Sequence, residues 1–218
     1  MAAARGPTER QLLFMTDYFA LLDEPRRLWL DPEFLKEKFL ARSAVVHPDR
    51  VHNLGKAEQE IAQDRYVQLN SAYNCLREPK ARLRHLLEVE LGAVPKEVQP
   101  VPPDLMDLFM EIGQACRQAD AAIAENSAAT SPLLKVQLFE RSQEQADKLR
   151  SLLQKVAAGS AHLTDRLKQL DEDRDKAESS AGTAHPQFFS EVEKLYRLFS
   201  YFDRWTAQIQ ERVVKLSF

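Results

Sequence analysis

The chain has 218 residues, 44% of them hydrophobic and 29% charged, which is enough apolar mass for one large or two small cores. Lys and Arg number 30 against 33 Asp and Glu, a formal net charge of -3, so no global field draws the chain to nucleic acid or to an anionic membrane. Only 6 glycines stand among abundant Leu, Ala, Glu, Gln, Lys and Arg, a balance that favours helix over tight-turned sheet.

The opening residues 1–15, MAAARGPTERQLLF and Met15, lack an apolar signal core and are expected to form a flexible tail. No apolar run approaches the ~18 residues of a membrane span, so a cytoplasmic protein that does not enter the membrane is expected. Asp31 is placed to cap a helix that opens at Pro32, the first-turn position that suits proline, and Pro48 ends that helix near Val46. From about Ala57 a longer helix carries Ala62, Tyr66, Leu69, Tyr73 and Leu76 at steps of four and three, one apolar stripe. Glu78-Pro79 ends it, and a last helix from Lys80 to Glu88 stops near Gly92. Two long helices joined by a polar loop should lie antiparallel with their stripes buried together.

VPKEVQPVPP, Val94 to Pro103, separates this unit from the rest. Beyond it the spacing predicts three long helices. The first spans about Pro103 to Ala124. The second starts at Pro132 and runs into the 170s, with a bend at Gly159 and Ser160. The third starts after Pro186, and ENSAATSP and ESSAGTAHP are the loops between them. Such seams suit an antiparallel three-helix bundle. The run DEDRDK around Asp171 is expected on a solvated helix face. Cys75 and Cys116 are far apart and outside any Cys-x-x-Cys pair, and are expected as small buried hydrophobes rather than as a metal or disulfide pair. His52, His85, His162 and His185 make no ligand spacing, and His85 is expected on a helix surface. No phosphate-cradling glycine loop or nucleophile–base signature is present, so neither a cofactor nor intrinsic catalysis is expected.

The informative residues are His47-Pro48-Asp49. Alone the tripeptide is an ordinary polar turn. Here it lies between two helices, after Asp17-Tyr18-Phe19-Ala20-Leu21-Leu22 and before QLNSAYNCLREP, Gln68 to Pro79. That arrangement resembles a J domain. Its continuation into KARLRHLLEVEL, a proline-rich link and a helical unit ending in KLYRLFSYFDRWTAQIQERVVKLSF resembles the HscB-type (Jac-type) co-chaperones of iron–sulfur cluster assembly.

The resemblance implies an all-α protein with a J domain at 16–92, a linker at 93–102 and a C-terminal three-helix bundle at 103–218. It implies a non-enzyme, in the cytoplasm or, in a eukaryote, the mitochondrial matrix. Its partners would be a DnaK/HscA-type chaperone, whose ATP hydrolysis it stimulates, and an IscU-type iron–sulfur scaffold. The chaperone contacts would be His47, Pro48 and Asp49, with His47 either capping the preceding helix or touching the partner. The family usually carries Lys or Arg just before the tripeptide. Here Ser43, Ala44, Val45 and Val46 stand there, and the cations are Lys36, Lys38 and Arg42, with Arg50 following. Leu105, Met106 and Phe109 match the scaffold-binding positions, whereas Met110 and Gly113 fall where the family tends to be acidic. The cluster is informative by itself. Leu105, Met106, Leu108, Phe109, Met110 and Ile112 exceed one bundle-facing stripe, so part of it should be exposed for binding or covered by packing. An unrelated client for the J domain, or a helical interaction protein that stimulates nothing, remain alternatives.

Overall fold

The protein, in a computed structural model, is described at residues 16–92, 100–181 and 186–217. The expected tail at 1–15, most of the linker and part of the third loop lie outside these residues. Among them the fold is all-α. Two compact units divide the chain: residues up to Gly92 with Thr164–Tyr196, and residues 100–163 with Arg197–Leu216.

In the first unit, α1 (Tyr18–Leu22) is capped by Asp17, whose Oδ1 accepts from the N–H groups of Phe19 and Ala20. Helix α2 (Pro32–Val45) is capped in the same way by Asp31, with proline in the first turn as its spacing predicts. A one-turn helix α3 (Pro48–Val51) follows, then α4 (Lys56–Arg77) and α5 (Pro79–Leu91). Glu78 between the last two is extended, ψ 120°, as a residue before proline must be. The α2–α4 pairing is antiparallel. Phe39 stacks on Tyr73 at 4.5 Å and His47 meets Tyr66 edge-on at 5.5 Å, so the numbering rises on one helix as it falls on the other. Leu35, Leu69, Ala72 and Leu76 are buried there, together with Phe19 and Leu22 of α1.

The second unit is built on α6 (Met106–Ala128), entered by a short 3-10 turn at Pro103–Leu105, on the Pro132–Leu163 part of α7 (Pro132–Ala181), and on α8 (Pro186–Leu216) from Arg197 onward. Lys155 pairs with Glu111 and Arg141 with Glu125, which sets α6 and α7 antiparallel. Ile112, Cys116, Ala119, Leu149, Leu152, Val156, Phe202, Trp205 and Ile209 form the core. Helix α6 runs four residues past its expected end, because Asn126 donates to Ser142 Oγ at 2.7 Å and Ser127 to Ile123 O at 2.9 Å, so the polar ENSA stretch finds partners as helix.

Four expectations are corrected. Helix α7 is continuous through Gly159 and Ser160 and continues into the expected third loop as far as Ala181. Gly159 does not bend it. A Cβ there would lie 2.5 Å from Cε1 of Phe202, so the glycine makes room for a ring. Asp171 is buried, not solvated. Its two carboxylate oxygens accept from the N–H of Leu28 at 3.0 Å and of Trp29 at 2.8 Å, donors in a segment with no ladder of its own. Burial pushes its carboxyl above the usual carboxylate range. Arg82, also buried, holds the same segment through Nε to Leu28 O at 2.8 Å. His85 is buried too: its Nε2 accepts from the Tyr18 N–H at 2.9 Å and its ring stacks on Tyr18 and Phe19.

Candidate functional site

Residues 47–51 form an exposed tip. His47 is extended (φ -64°, ψ 135°) and opens α3, since its Nδ1 accepts from the Asp49 N–H at 3.3 Å. It therefore caps the helix after it, not the one before it. Pro48 takes the first helical position, where no N–H is missed. Arg50 N–H and Val51 N–H both reach His47 O. The Asp49 side chain is 91% exposed, and Pro48 and Arg50 are exposed beside it. His47 is half-exposed and held edge-on by Tyr66, a neighbour that sequence spacing did not reveal.

The loop behind the tip is tied down. His52 Nδ1–H donates to Asp49 O at 2.6 Å, and Gln59 donates to His52 O and Leu54 O at 3.0 and 2.9 Å. An open groove of about 570 Å³ runs between α3 and α4, lined by Pro48, Val51, His52, Gln59, Glu60 and Asp64. The tip is thus a preordered knob whose Asp49 carboxylate, with Oδ2 3.7 Å from His47 Nδ1, stays open to solvent and is suited to gripping a guanidinium.

The cations on α2 are placed unequally. Lys36 is exposed, with Glu33 3.9 Å away. Lys38 donates to Asp23 O at 2.6 Å, pairs with Glu24 at 3.0 Å and sits 4.7 Å over the Phe34 ring. Arg42 Nη2 lies 3.4 Å from Asp23 Oδ2. Lys38 and Arg42 therefore turn to the Asp23–Glu24 corner after α1.

In the second unit, Leu105 is half-buried against the bundle core, as is Leu108. Met106, Phe109 and Met110 are 41%, 40% and 58% exposed, at the steps of three and four that put them on one helix face. The surplus of apolar residues at the start of α6 is thus an open patch. Gly113 continues that face, and a Cβ on it would meet only the far end of Arg117, at 3.5 Å. Neither cysteine is poised for chemistry: Cys116 is buried, and burial pushes the Cys75 thiol up to about 11. Among the described residues no group of His, Cys, Asp or Glu is arranged to hold a metal ion, and no helix is long and apolar enough to cross a membrane.

No family model matches the chain. Individual relatives do. It is 34% identical over 139 residues to the co-chaperone protein HscB homolog of Paraburkholderia phytofirmans, an alignment that covers 62% of this chain and 77% of the relative. It is 40% identical over 72 residues to that of Bordetella pertussis, covering 33% of this chain and 42% of the relative. Its fold is similar to that of the chaperone HscB from Vibrio cholerae, with a TM-score of 0.56 and 18% identity over 90% of this chain and 96% of that one. The human co-chaperone protein HscB aligns with a TM-score of 0.61 and 18% identity over 96% of this chain and 85% of that one. With a third of the aligned residues identical across three quarters of such a relative, and with that fold, the chain belongs to the HscB family of co-chaperones and is not an enzyme.

Proposed function

We propose that the protein docks on a DnaK/HscA-type chaperone through its His47-Pro48-Asp49 tip, stimulates that chaperone's ATP hydrolysis, and delivers to it an IscU-type iron–sulfur scaffold held on the α6 patch. The observation that carries this is the tip itself: three residues on an antiparallel helix pair, with Asp49 almost fully exposed and the backbone already capped. A ligand with no catalytic group can accelerate hydrolysis only by binding one state of the chaperone better than another. Asp49 offers the partner a charge-assisted bond, and the His47 cap and Pro48 lower the cost of ordering the loop on contact. Arg50, Lys36 and Arg42 supply the cationic flank that steers an acidic partner face, while Lys38, held by Glu24 and Asp23 O, fixes the corner beside it.

On this reading residues 16–92 are the J domain, 93–102 the linker and 103–218 the client-binding bundle. Leu105, Met106 and Phe109 contact the scaffold, whose cluster is cargo rather than a resident cofactor. The setting is the cytoplasm, or the mitochondrial matrix in a eukaryote, and the product is cluster assembly or transfer.

The test is stimulation of a DnaK/HscA-type ATPase with and without an IscU-type scaffold. Wild type should stimulate, and more than additively with the scaffold. His47→Gln should lose stimulation yet still retain the scaffold in a pull-down. The triple change of Leu105, Met106 and Phe109 to Ala should keep basal stimulation and lose both synergy and pull-down. A triple variant that behaves as wild type would assign the J domain to an unrelated client, and a wild type that stimulates nothing would end the docking reading.

A further inference from the structure

We infer that Asp23 sets how tightly the docking face holds the chaperone, by competing with the chaperone's carboxylates for Arg42; this rests on the docking reading above. Asp23 follows α1 with φ 59°, and among the described residues it is the non-glycine residue with positive φ. The position is the left-handed one of a helix C-cap. Asp23 N–H reaches Ala20 O at 3.2 Å and Glu24 N–H reaches Phe19 O at 2.9 Å. Glycine adopts this conformation freely, and an L side chain there is strained. What the aspartate adds, and glycine would lack, is a carboxylate.

That carboxylate stands 77% exposed with Oδ2 3.4 Å from Nη2 of Arg42, itself 39% exposed. The next residue, Glu24, has a side chain only 5% exposed and pairs with Lys38 at 3.0 Å, while Lys38 also donates to Asp23 O at 2.6 Å. The corner therefore engages two α2 cations in different ways. Lys38 is held by a backbone oxygen and a buried carboxylate, and a partner could take it only by undoing the corner. Arg42 is held by a single long pair in water, which exchanges readily.

In the free protein Arg42 is thus occupied but not committed. On docking, a partner carboxylate that grips the guanidinium must displace Asp23, so each docking event trades one ion pair for another instead of gaining one. The displaced Asp23 carboxylate also stays beside the acidic face it has to tolerate. Both effects weaken docking, and both vanish if position 23 loses its charge.

The experiment titrates ATPase stimulation of a DnaK-type chaperone with wild type, Asp23→Asn, Asp23→Gly, Arg42→Gln and the Asp23→Asn/Arg42→Gln double variant. Asn tolerates the left-handed conformation and Gly prefers it, so both keep the fold, which thermal unfolding checks. Both single variants at position 23 should lower the half-maximal concentration about two- to fivefold, the range of an exposed ion pair, with the same maximal rate. The gain should shrink at high salt and disappear in the Arg42→Gln background. An unchanged or higher half-maximal concentration overturns the inference. So does a gain from Gly that Asn does not share, or one that survives the loss of Arg42. Wild type that stimulates nothing removes the docking reading and the inference together, whereas active wild type with an inert Asp23→Asn removes the inference alone.

Discussion

Replacing Gly159 by alanine gives the sharpest test of how the second unit packs. In a helix interior this change ordinarily stabilises, because alanine is about 1 kcal/mol the better helix former. Here the new Cβ would stand 2.5 Å from Cε1 and 2.7 Å from Cζ of Phe202. Carbon atoms pack at roughly 3.5–4.0 Å, so the overlap is about 1 Å. The ring cannot simply swing away: Phe202 is 4% exposed and lies edge-on against Trp205 at 5.4 Å. Overpacking of this kind costs about 1–3 kcal/mol. Against the propensity gain the net loss is up to about 2 kcal/mol, or a Tm lowered by as much as roughly 8 °C for a chain of this size. Thermal unfolding followed by far-UV circular dichroism reads it. Gly113→Ala is the internal control. It too lies inside a long helix, but its Cβ would meet only the tip of Arg117 at 3.5 Å, so it should stabilise by about 0.5–1 kcal/mol. Shortening the ring in a Gly159→Ala/Phe202→Leu double variant should recover part of the loss. If Gly159→Ala melts above wild type, as Gly113→Ala should, the account of Gly159 as a packing residue is wrong.

Two further outcomes follow from buried polar groups in the first unit. Arg82→Met should cost about 2 kcal/mol in urea unfolding, because it strips the donors from Leu28 O and Leu76 O; Arg82→Lys should recover less than half of this, since a single ammonium cannot reproduce the guanidinium fork. Full recovery by lysine would show that charge alone matters there. Burial holds the His85 imidazole below its usual value of 6.5, with Asp17 and Glu88 opposing the shift and Arg26 reinforcing it. Its Nε2 accepts the Tyr18 N–H, so only the neutral ring can make that bond. The folded state thus binds this proton less readily than the unfolded chain. The stability it contributes is complete above pH 6.5 and is lost as pH falls through the depressed folded value. An NMR titration should place His85 below 6.5, with faster exchange of the Tyr18 amide as it protonates; a ring titrating at or above 6.5 would refute the buried, neutral acceptor.

The contrast between these residues separates what could be read locally from what could not. Helix starts at Pro32 and Pro132, those expected one residue late at Pro79 and Pro186, the cap at Asp31, the stripe through Leu69 and Leu76, and the break at His47-Pro48 all rest on interactions within a few positions of the chain. Proline's missing N–H, a side-chain oxygen two residues from an orphan donor and the 3.6-residue period act wherever those residues occur. The all-α class, the exposed tip and the surplus apolar residues on α6 were legible for that reason.

His85, Asp171, Gly159 and the locked pair Lys38–Glu24 were not. Their partners lie far along the chain, 67 positions away for His85 and Tyr18 and 143 for Asp171 and Leu28. A charged run such as DEDRDK looks solvated until one of its carboxylates meets two backbone donors that only folding brings to it, and a glycine looks like a bend until a phenylalanine from another helix needs its space. Short-range sterics and hydrogen bonding therefore determined the helices and where the tip would stand. Which polar groups are buried, and which cations remain for a partner, was decided by packing between segments that share no local sequence.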